Sequence, residues 1–222
     1  MKALIVYGSP HGTMSATYRL GSSFAGGLKD QGWVIDELVI KDIEINHCLG
    51  CYSCWMKTPG VCVQKDGMAD VIQRHKDINL LVLAAPLYFY SVPGIVKTYW
   101  DRNMPLYLAE SRKYAGQAEQ GWTDTFKFLL ISTCGFPQKE NFDGLLLSTK
   151  KIYGQAYAGE LLVPLGSAIS QDTDRSKYTE FYDFFYAAGK EYAKQQNLSE
   201  KTKKTLDWMT NIDNMRELIK SK

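Results

Sequence analysis

Four stretches of the chain read as buried parallel strands: "ALIVYG" (3–8), "NLLVLAAP" (79–86), "FKFLLIST" (126–133) and "AGELLVPLG" (158–166). The first three are continuous apolar runs closed by Gly, Pro or hydroxyl residues, the pattern of strands covered on both faces. A fifth, "WVIDELVI" (33–40), carries Asp36 and Glu37 at its middle and suits a sheet edge. Helical spacing fills the intervals. Residues 14–31 run up to a stop at Gly32. Residues 66–76 place Met68, Val71, Ile72 and His75 on one side, and the stretch from Pro93 does the same with Ile95, Val96, Tyr99 and Trp100. Further helices are expected at 141–154, 176–196 and 199–220. In the fifth of these six, Phe181, Phe185, Ala188 and Tyr192 make one stripe, which suits core or subunit interface.

Strict alternation of strand and helix means a parallel sheet with right-handed crossovers and helices on both faces. Five strands in 222 residues fit a flavodoxin-like doubly wound sheet of order 2-1-3-4-5. Residues 1–196 are expected to form that α/β domain, with a cysteine-bearing loop (47–66) inserted after the second strand. Residues 197–222 follow as a C-terminal helix.

Composition changes this picture little. Hydrophobic residues at 45% and charged residues at 23% are ordinary for a globular domain. A formal charge of +2 without a basic run gives no reason to expect nucleic acid or an anionic membrane as partner. "MKALIVYGSP" lacks a secretory h-region with a cleavage site, and no segment is long enough to span a bilayer. A cytoplasmic location is the expectation, and thiols stay reduced there.

Candidate chemistry sits at the strand ends. "GSPHGTMSAT" (8–17) joins the first strand to the first helix, where α/β sheets bind phosphates. It is neither G-x-G-x-x-G nor a Walker loop. It offers hydroxyls, His11 and helix N-terminal N–H groups, which suit a phosphate monoester or, equally, an ordinary capped turn. "APLYFYSVPG" (85–94) ends the third strand at the switch point of a 2-1-3-4-5 sheet, facing that loop. Its aromatics and proline suit a planar ring with polar edges, such as a flavin. "STCGFP" (132–137) supplies a third loop at the same edge.

The spacing C-x2-C-x2-C-x7-C places Cys48, Cys51, Cys54 and Cys62 on one loop. Zinc sites usually separate two C-x2-C knuckles by a dozen or more residues. Successive x2 spacings instead wrap one loop round a cube corner, as in bacterial ferredoxins, with the fourth ligand from elsewhere. Cys62 is that fourth ligand, and Gly60 lets the chain turn back. Three readings stay open: an iron–sulfur cluster, no metal, or zinc. Cys134 and His47 read as packing and surface residues, and His75 as an ordinary helix-face residue.

"GSPHGTMSAT", "APLYFYSVPGIVKTYWDR" and "TCGF", in this order, resemble the NADPH-dependent FMN reductases of the flavodoxin-like superfamily, and more closely their iron–sulfur flavoprotein branch. The resemblance covers about residues 1–166. It implies FMN, with Ser9, His11, Ser15, Ala16 and Thr17 around the phosphate. It also implies Pro86, Leu87, Tyr88 and Phe89 along the isoalloxazine, and Thr133, Cys134, Gly135 and Phe136 at the far side of the ring. A [4Fe–4S] cluster on Cys48, Cys51, Cys54 and Cys62 follows from the same branch. Where this chain has His11, Ser15 and Ala16, the family commonly has Arg, Asn and Thr.

The function implied is a flavin-dependent oxidoreductase that passes electrons between a donor and an acceptor such as oxygen, peroxide or a quinone. NAD(P)H and a protein such as ferredoxin are electron partners of that chemistry. The alternatives are an NAD(P)H-dependent FMN or quinone reductase with empty cysteines, and a flavodoxin-like carrier with structural zinc. A homodimer or homotetramer is expected, with the cysteine loop at or near a subunit interface.

Overall fold

The computed structural model describes residues 1–107, 126–166, 168–169 and 175–220. Five parallel strands, β1 (Lys2–Tyr7), β2 (Val34–Val39), β3 (Leu80–Pro86), β4 (Lys127–Thr133) and β5 (Tyr157–Val163), form one sheet in the order β2-β1-β3-β4-β5. The central strands bury both faces, as their unbroken apolar runs require. β2 lies at the edge, where Asp36 and Glu37 keep contact with water and Asp36 pairs with Arg74.

Helices cover the two faces separately. On one side α1 (Ala16–Asp30) packs with α6 (Thr179–Gln195), and α7 (Glu200–Met209) and α8 (Ile212–Lys220) complete the layer. On the other lie α3 (Met68–Arg74), α4 (Gly94–Arg102) and α5 (Asp143–Tyr153). A short α2 (Ser53–Met56) lies within the cysteine loop. The segment expected as one helix at 199–220 is two. Thr210 turns its hydroxyl back onto the Leu206 carbonyl (2.8 Å), and Asn211 Oδ1 accepts from the Asp213 N–H (3.1 Å), starting a new helix.

The aromatic stripe of α6 is consumed inside the chain. Phe181, Phe185, Ala188 and Tyr192 are all buried in the core shared with α1. The helices approach so closely that a Cβ on Gly189 would stand 2.1 Å from the Phe24 carbonyl oxygen. Of the two expected roles for this stripe, core is the one observed. It therefore lends nothing to a subunit interface.

His75, at the end of α3, is buried against α4. Its Nδ1 lies 2.8 Å from the Val71 carbonyl, which can only accept, so Nδ1 carries the proton. Nε2 then accepts from the Tyr99 hydroxyl at 2.6 Å. Burial lowers the pKa of this imidazole from 6.5 to about 4. Between those values the unfolded chain binds a proton that the native chain refuses, so stability falls as pH falls through that window. Above 6.5 both states are neutral and the effect vanishes. Urea unfolding at pH 7, 6 and 5 should show a loss of up to ~1.4 kcal/mol per pH unit from this residue. His75→Gln should flatten that part of the profile. Equal pH dependence of the two chains would rule the linkage out.

Candidate functional site

The carboxyl ends of β1, β3 and β4 open onto one crevice. Gly8 follows β1, and its N–H donates to the Ala84 carbonyl of β3 at 2.9 Å. The chain then turns tightly: the Gly12 N–H donates to the Ser9 carbonyl (2.9 Å) and the His11 N–H to Ser9 Oγ (3.2 Å). Gly12 sits at φ +55°, a conformation that favours glycine. Ser15 caps α1, accepting from the Tyr18 N–H (3.1 Å) while donating to the Gly12 carbonyl (2.8 Å). An α-helix leaves its first N–H groups without internal acceptors, and the positive end of its dipole lies there. Ser9, Ser15 and Thr17 stand buried beside that end.

A second wall comes from the turn after β3. The Leu87 N–H donates to the Thr133 carbonyl (2.8 Å), tying this turn to β4. Tyr88 and Ser91 exchange two backbone bonds (2.9 and 3.0 Å) around Phe89 and Tyr90, which sit at φ 48° and 61°. Positive φ at both central residues makes this a primed turn, usually the place of Asn and Gly. A third wall is Thr133 to Gly135, where the Cys134 thiol donates to the Phe136 carbonyl (3.1 Å). Burial pushes the pKa of that thiol up, which suits packing rather than ligation.

Together the walls enclose a cavity of about 480 Å³. Its lining includes Ser9, His11, Ser15, Ala16 and Thr17 from the first loop, Pro86, Leu87 and Tyr88 from the second, and Thr133, Cys134 and Gly135 from the third. Of the residues expected at a flavin site, Phe89 and Phe136 are not on this wall. Phe89 is fully exposed and Phe136 is 64% exposed. Two residues that sequence reasoning missed are also here. Met14 lines the cavity. The Lys41 stem lies across Gly12, with Nζ 3.3 Å from where a Cβ would stand. Lys41 follows the edge strand, and nothing in its local sequence ties it to the first loop.

The four loop cysteines line a second cavity of about 240 Å³, with Tyr52, Arg102, Met104 and Pro105. Cys48 and Cys51 are exposed, while Cys54 and Cys62 are half-buried. Burial, helped by its neighbour Cys62, raises the Cys54 pKa; a hydrogen bond with Ser53 lowers that of Cys51. Among the described residues, no three of His, Cys, Asp or Glu are placed to hold a metal ion. The donor set nonetheless suits a cluster, since four thiols and a guanidinium wall one space. His47 does not face the thiols as a ligand would: its Nδ1 lies 2.9 Å from Thr98 Oγ1.

A 2-1-3-4-5 sheet whose first, third and fourth strand ends enclose one crevice defines a flavodoxin-like α/β protein. The chain belongs to the Flavodoxin_2 family, described by its flavodoxin-like fold, whose model matches residues 1–155. Among curated relatives, an iron–sulfur flavoprotein of Archaeoglobus fulgidus is 32% identical over 105 residues, 47% of this chain and 46% of that one. A second from the same organism is 35% identical over 103 residues, 46% of this chain and 49% of the relative. The matches thus span about half the length of these relatives. Two solved structures share the fold at low identity. An FMN-dependent NADH-azoreductase from Bacillus anthracis is 18% identical with a TM-score of 0.60, covering 88% of this chain and 99% of that one. An NAD(P)H:quinone oxidoreductase from Methanothermobacter marburgensis is 12% identical with a TM-score of 0.63, covering 89% and 99%.

Gly8 is the tightest point of the crevice. A Cβ there would lie 2.3 Å from Val96 Cγ2 on α4 and 3.0 Å from Ala85 Cβ. Gly8→Ala should therefore destabilise the fold by ~1–3 kcal/mol through overpacking. Val96→Ala in the same chain should recover part of the loss, because Val96 is the nearest obstacle. Urea midpoints of the three chains test this, and a double variant no better than Gly8→Ala would contradict it.

Proposed function

We propose that this chain is an FMN-dependent oxidoreductase that also carries a [4Fe–4S] cluster on Cys48, Cys51, Cys54 and Cys62. The observation that carries the flavin half is the lining of the cavity at the ends of β1, β3 and β4. It has a helix N-terminus and buried hydroxyls at one end, and Pro86, Leu87 and Tyr88 on its wall beyond. The flavin, when bound, supplies hydride and single-electron chemistry, and the cluster supplies single-electron storage.

The chain's own part is to bind and orient. Ser9, Ser15, Thr17 and the first N–H groups of α1 would hold a phosphate; His11 lines the same cavity, and the Lys41 stem lies across Gly12 of that loop. Pro86, Leu87 and Tyr88 would lie along one side of the ring, with Thr133, Cys134 and Gly135 opposite. Among the described residues, no side chain is assigned a role as general acid or base. Electron partners fitting this site are small molecules, with NAD(P)H as donor and a quinone or oxygen species as acceptor, or a protein such as ferredoxin.

A second reading has one observation in its favour. The cysteines are not arranged to hold a metal ion, which suits an NAD(P)H-dependent FMN or quinone reductase with an empty loop. Structural zinc gains nothing from that arrangement. The same face also supports a homo-oligomer: Leu49, Tyr52, Met56, Phe89, Tyr90 and Phe136 are exposed apolar residues around the two cavities. Trp55 is already engaged, donating to the Met104 carbonyl at 2.7 Å.

The flavin-free chain should bind FMN more tightly than FAD, because the first loop closes on one phosphate and has no second glycine-rich fingerprint. Protein prepared without oxygen should contain iron and sulfide, and serine at any of the four loop cysteines should lower both. Cys134→Ser should leave them unchanged. Equal or tighter FAD binding counts against the preference for FMN; an iron-free wild type that resists reconstitution removes the cluster and leaves the second reading. Sedimentation at micromolar protein should show dimers or larger, and a monomer at that concentration would end the oligomer proposal.

A further inference from the structure

The cysteine loop leaves and rejoins the fold at one point. The Asn46 N–H donates to Asp66 Oδ2 at 2.9 Å, and Asn46 Nδ2 reaches the same oxygen at 3.2 Å. The Met68 N–H donates to Asp66 Oδ1 (3.1 Å), and the Gly67 N–H to the Glu44 carbonyl (3.0 Å). Into this neck α4 inserts Arg102. Its Nη1 donates to Asp66 Oδ2 (2.7 Å) and to the Asn46 carbonyl (2.7 Å), and its Nη2 donates to Asp66 Oδ1 (2.9 Å). The Arg102 and Asp66 side chains are 1% and 3% exposed. One guanidinium therefore holds both ends of the loop. All four ligand-type cysteines lie between those ends.

Arg102 also belongs to the cysteine cavity. It lines that space, has Cys62 as an electrostatic neighbour, and keeps a buried Nε with no hydrogen-bond partner. A buried ion pair is poor evidence for stability by itself, because desolvation of two charges offsets their attraction. What a two-pronged pair supplies is geometry: it fixes distance and angle where a single point charge would not. Two further contacts place the loop on the same helix and its continuation, His47 to Thr98 Oγ1 and Trp55 to the Met104 carbonyl.

We propose that Asp66 and Arg102 form a latch that positions the four cysteines relative to one another. Arg102 is thus a positioning residue for the cysteine site. The inference rests on reading Cys48, Cys51, Cys54 and Cys62 as one ligand set, and it adds the group that preorganises them. α4 starts at the turn that walls the flavin-type cavity and ends at the latch. About 12 Å of helix separates the two.

The test uses the full chain with FMN bound, kept metal-free and anaerobic, and treated with dibromobimane, which bridges thiols only when they are close. Arg102→Met should lower cross-linking among the four loop cysteines by about fivefold or more, as expected when preorganisation is lost. Arg102→Lys keeps the charge but loses the fork, and should recover less than half of the yield. FMN affinity should stay within about threefold of wild type, which separates a loop effect from a general loss of fold. Unchanged cross-linking in a variant that still binds FMN overturns the latch. Should the variants not fold, hydrogen exchange on the wild type decides: the Asn46 and Met68 amides should exchange about tenfold or more slowly than those of the loop between them. Equal rates overturn the proposal. Iron content is read separately. A wild type without iron that still loses its cross-link in Arg102→Met supports the latch while removing the cluster.

Discussion

A parallel strand cannot pair with its predecessor until the chain has crossed back over a face of the sheet, and every such crossing starts from the same edge. This constraint is what puts the chemistry of this protein in one place. β1, β3 and β4 release their chains side by side, so three loops far apart in sequence become three walls of one cavity. The sheet can be assembled this tightly because residue 8 has no side chain. Its N–H reaches β3 while α4 lies against its α-carbon. The crevice and the seating of α4 against the end of β1 both depend on that approach.

The strands and their order were legible because burial on both faces leaves a plain mark: runs without polar interruption, against one edge strand carrying Asp36 and Glu37. The first, second and third walls were legible for a related reason, since turn residues must follow each strand. The break between α7 and α8 was less so. A Thr that bonds back to its own helix and an Asn that starts the next are each compatible with an uninterrupted helix in sequence. The role of the aromatic stripe in α6 was open in the sequence as well. Apolar periodicity says that a face is buried, and is silent on whether the chain itself or a second copy covers it.

Long-range polar contacts left no such mark. Asp66 and Arg102 are 36 residues apart, and each looks like an ordinary charged residue of a loop and a helix end. Only the folded chain shows that both are buried and that Asp66 accepts from backbone, amide and guanidinium groups together. The Arg102 guanidinium holds the Asp66 carboxyl well below the usual carboxylate range, so the pair stays charged at neutral and mildly acidic pH. A latch of that kind does not loosen with ordinary changes of acidity.

The turn at Phe89 and Tyr90 shows the reverse case, in which composition and conformation disagree. Two aromatic residues occupy the left-handed region, which costs ~1–2 kcal/mol each for a residue with a Cβ. Asn-Gly would relieve that cost and keep the same two backbone bonds between Tyr88 and Ser91. Something must hold the strained form, and the structure supplies it on three sides. Leu87 is tied to Thr133, Tyr88 is tied to Ser91, and the Tyr90 carbonyl lies where only a glycine, Gly144, can face it. The consequence is a fixed division of labour along three consecutive rings. Tyr88 turns to the cavity wall, while Phe89 and Tyr90 are delivered to the surface beside its mouth. Strain held by surrounding contacts is characteristic of places where a side chain must be aimed. Here it aims two aromatic faces outward, into solvent, while the ring before them stays on the cavity wall.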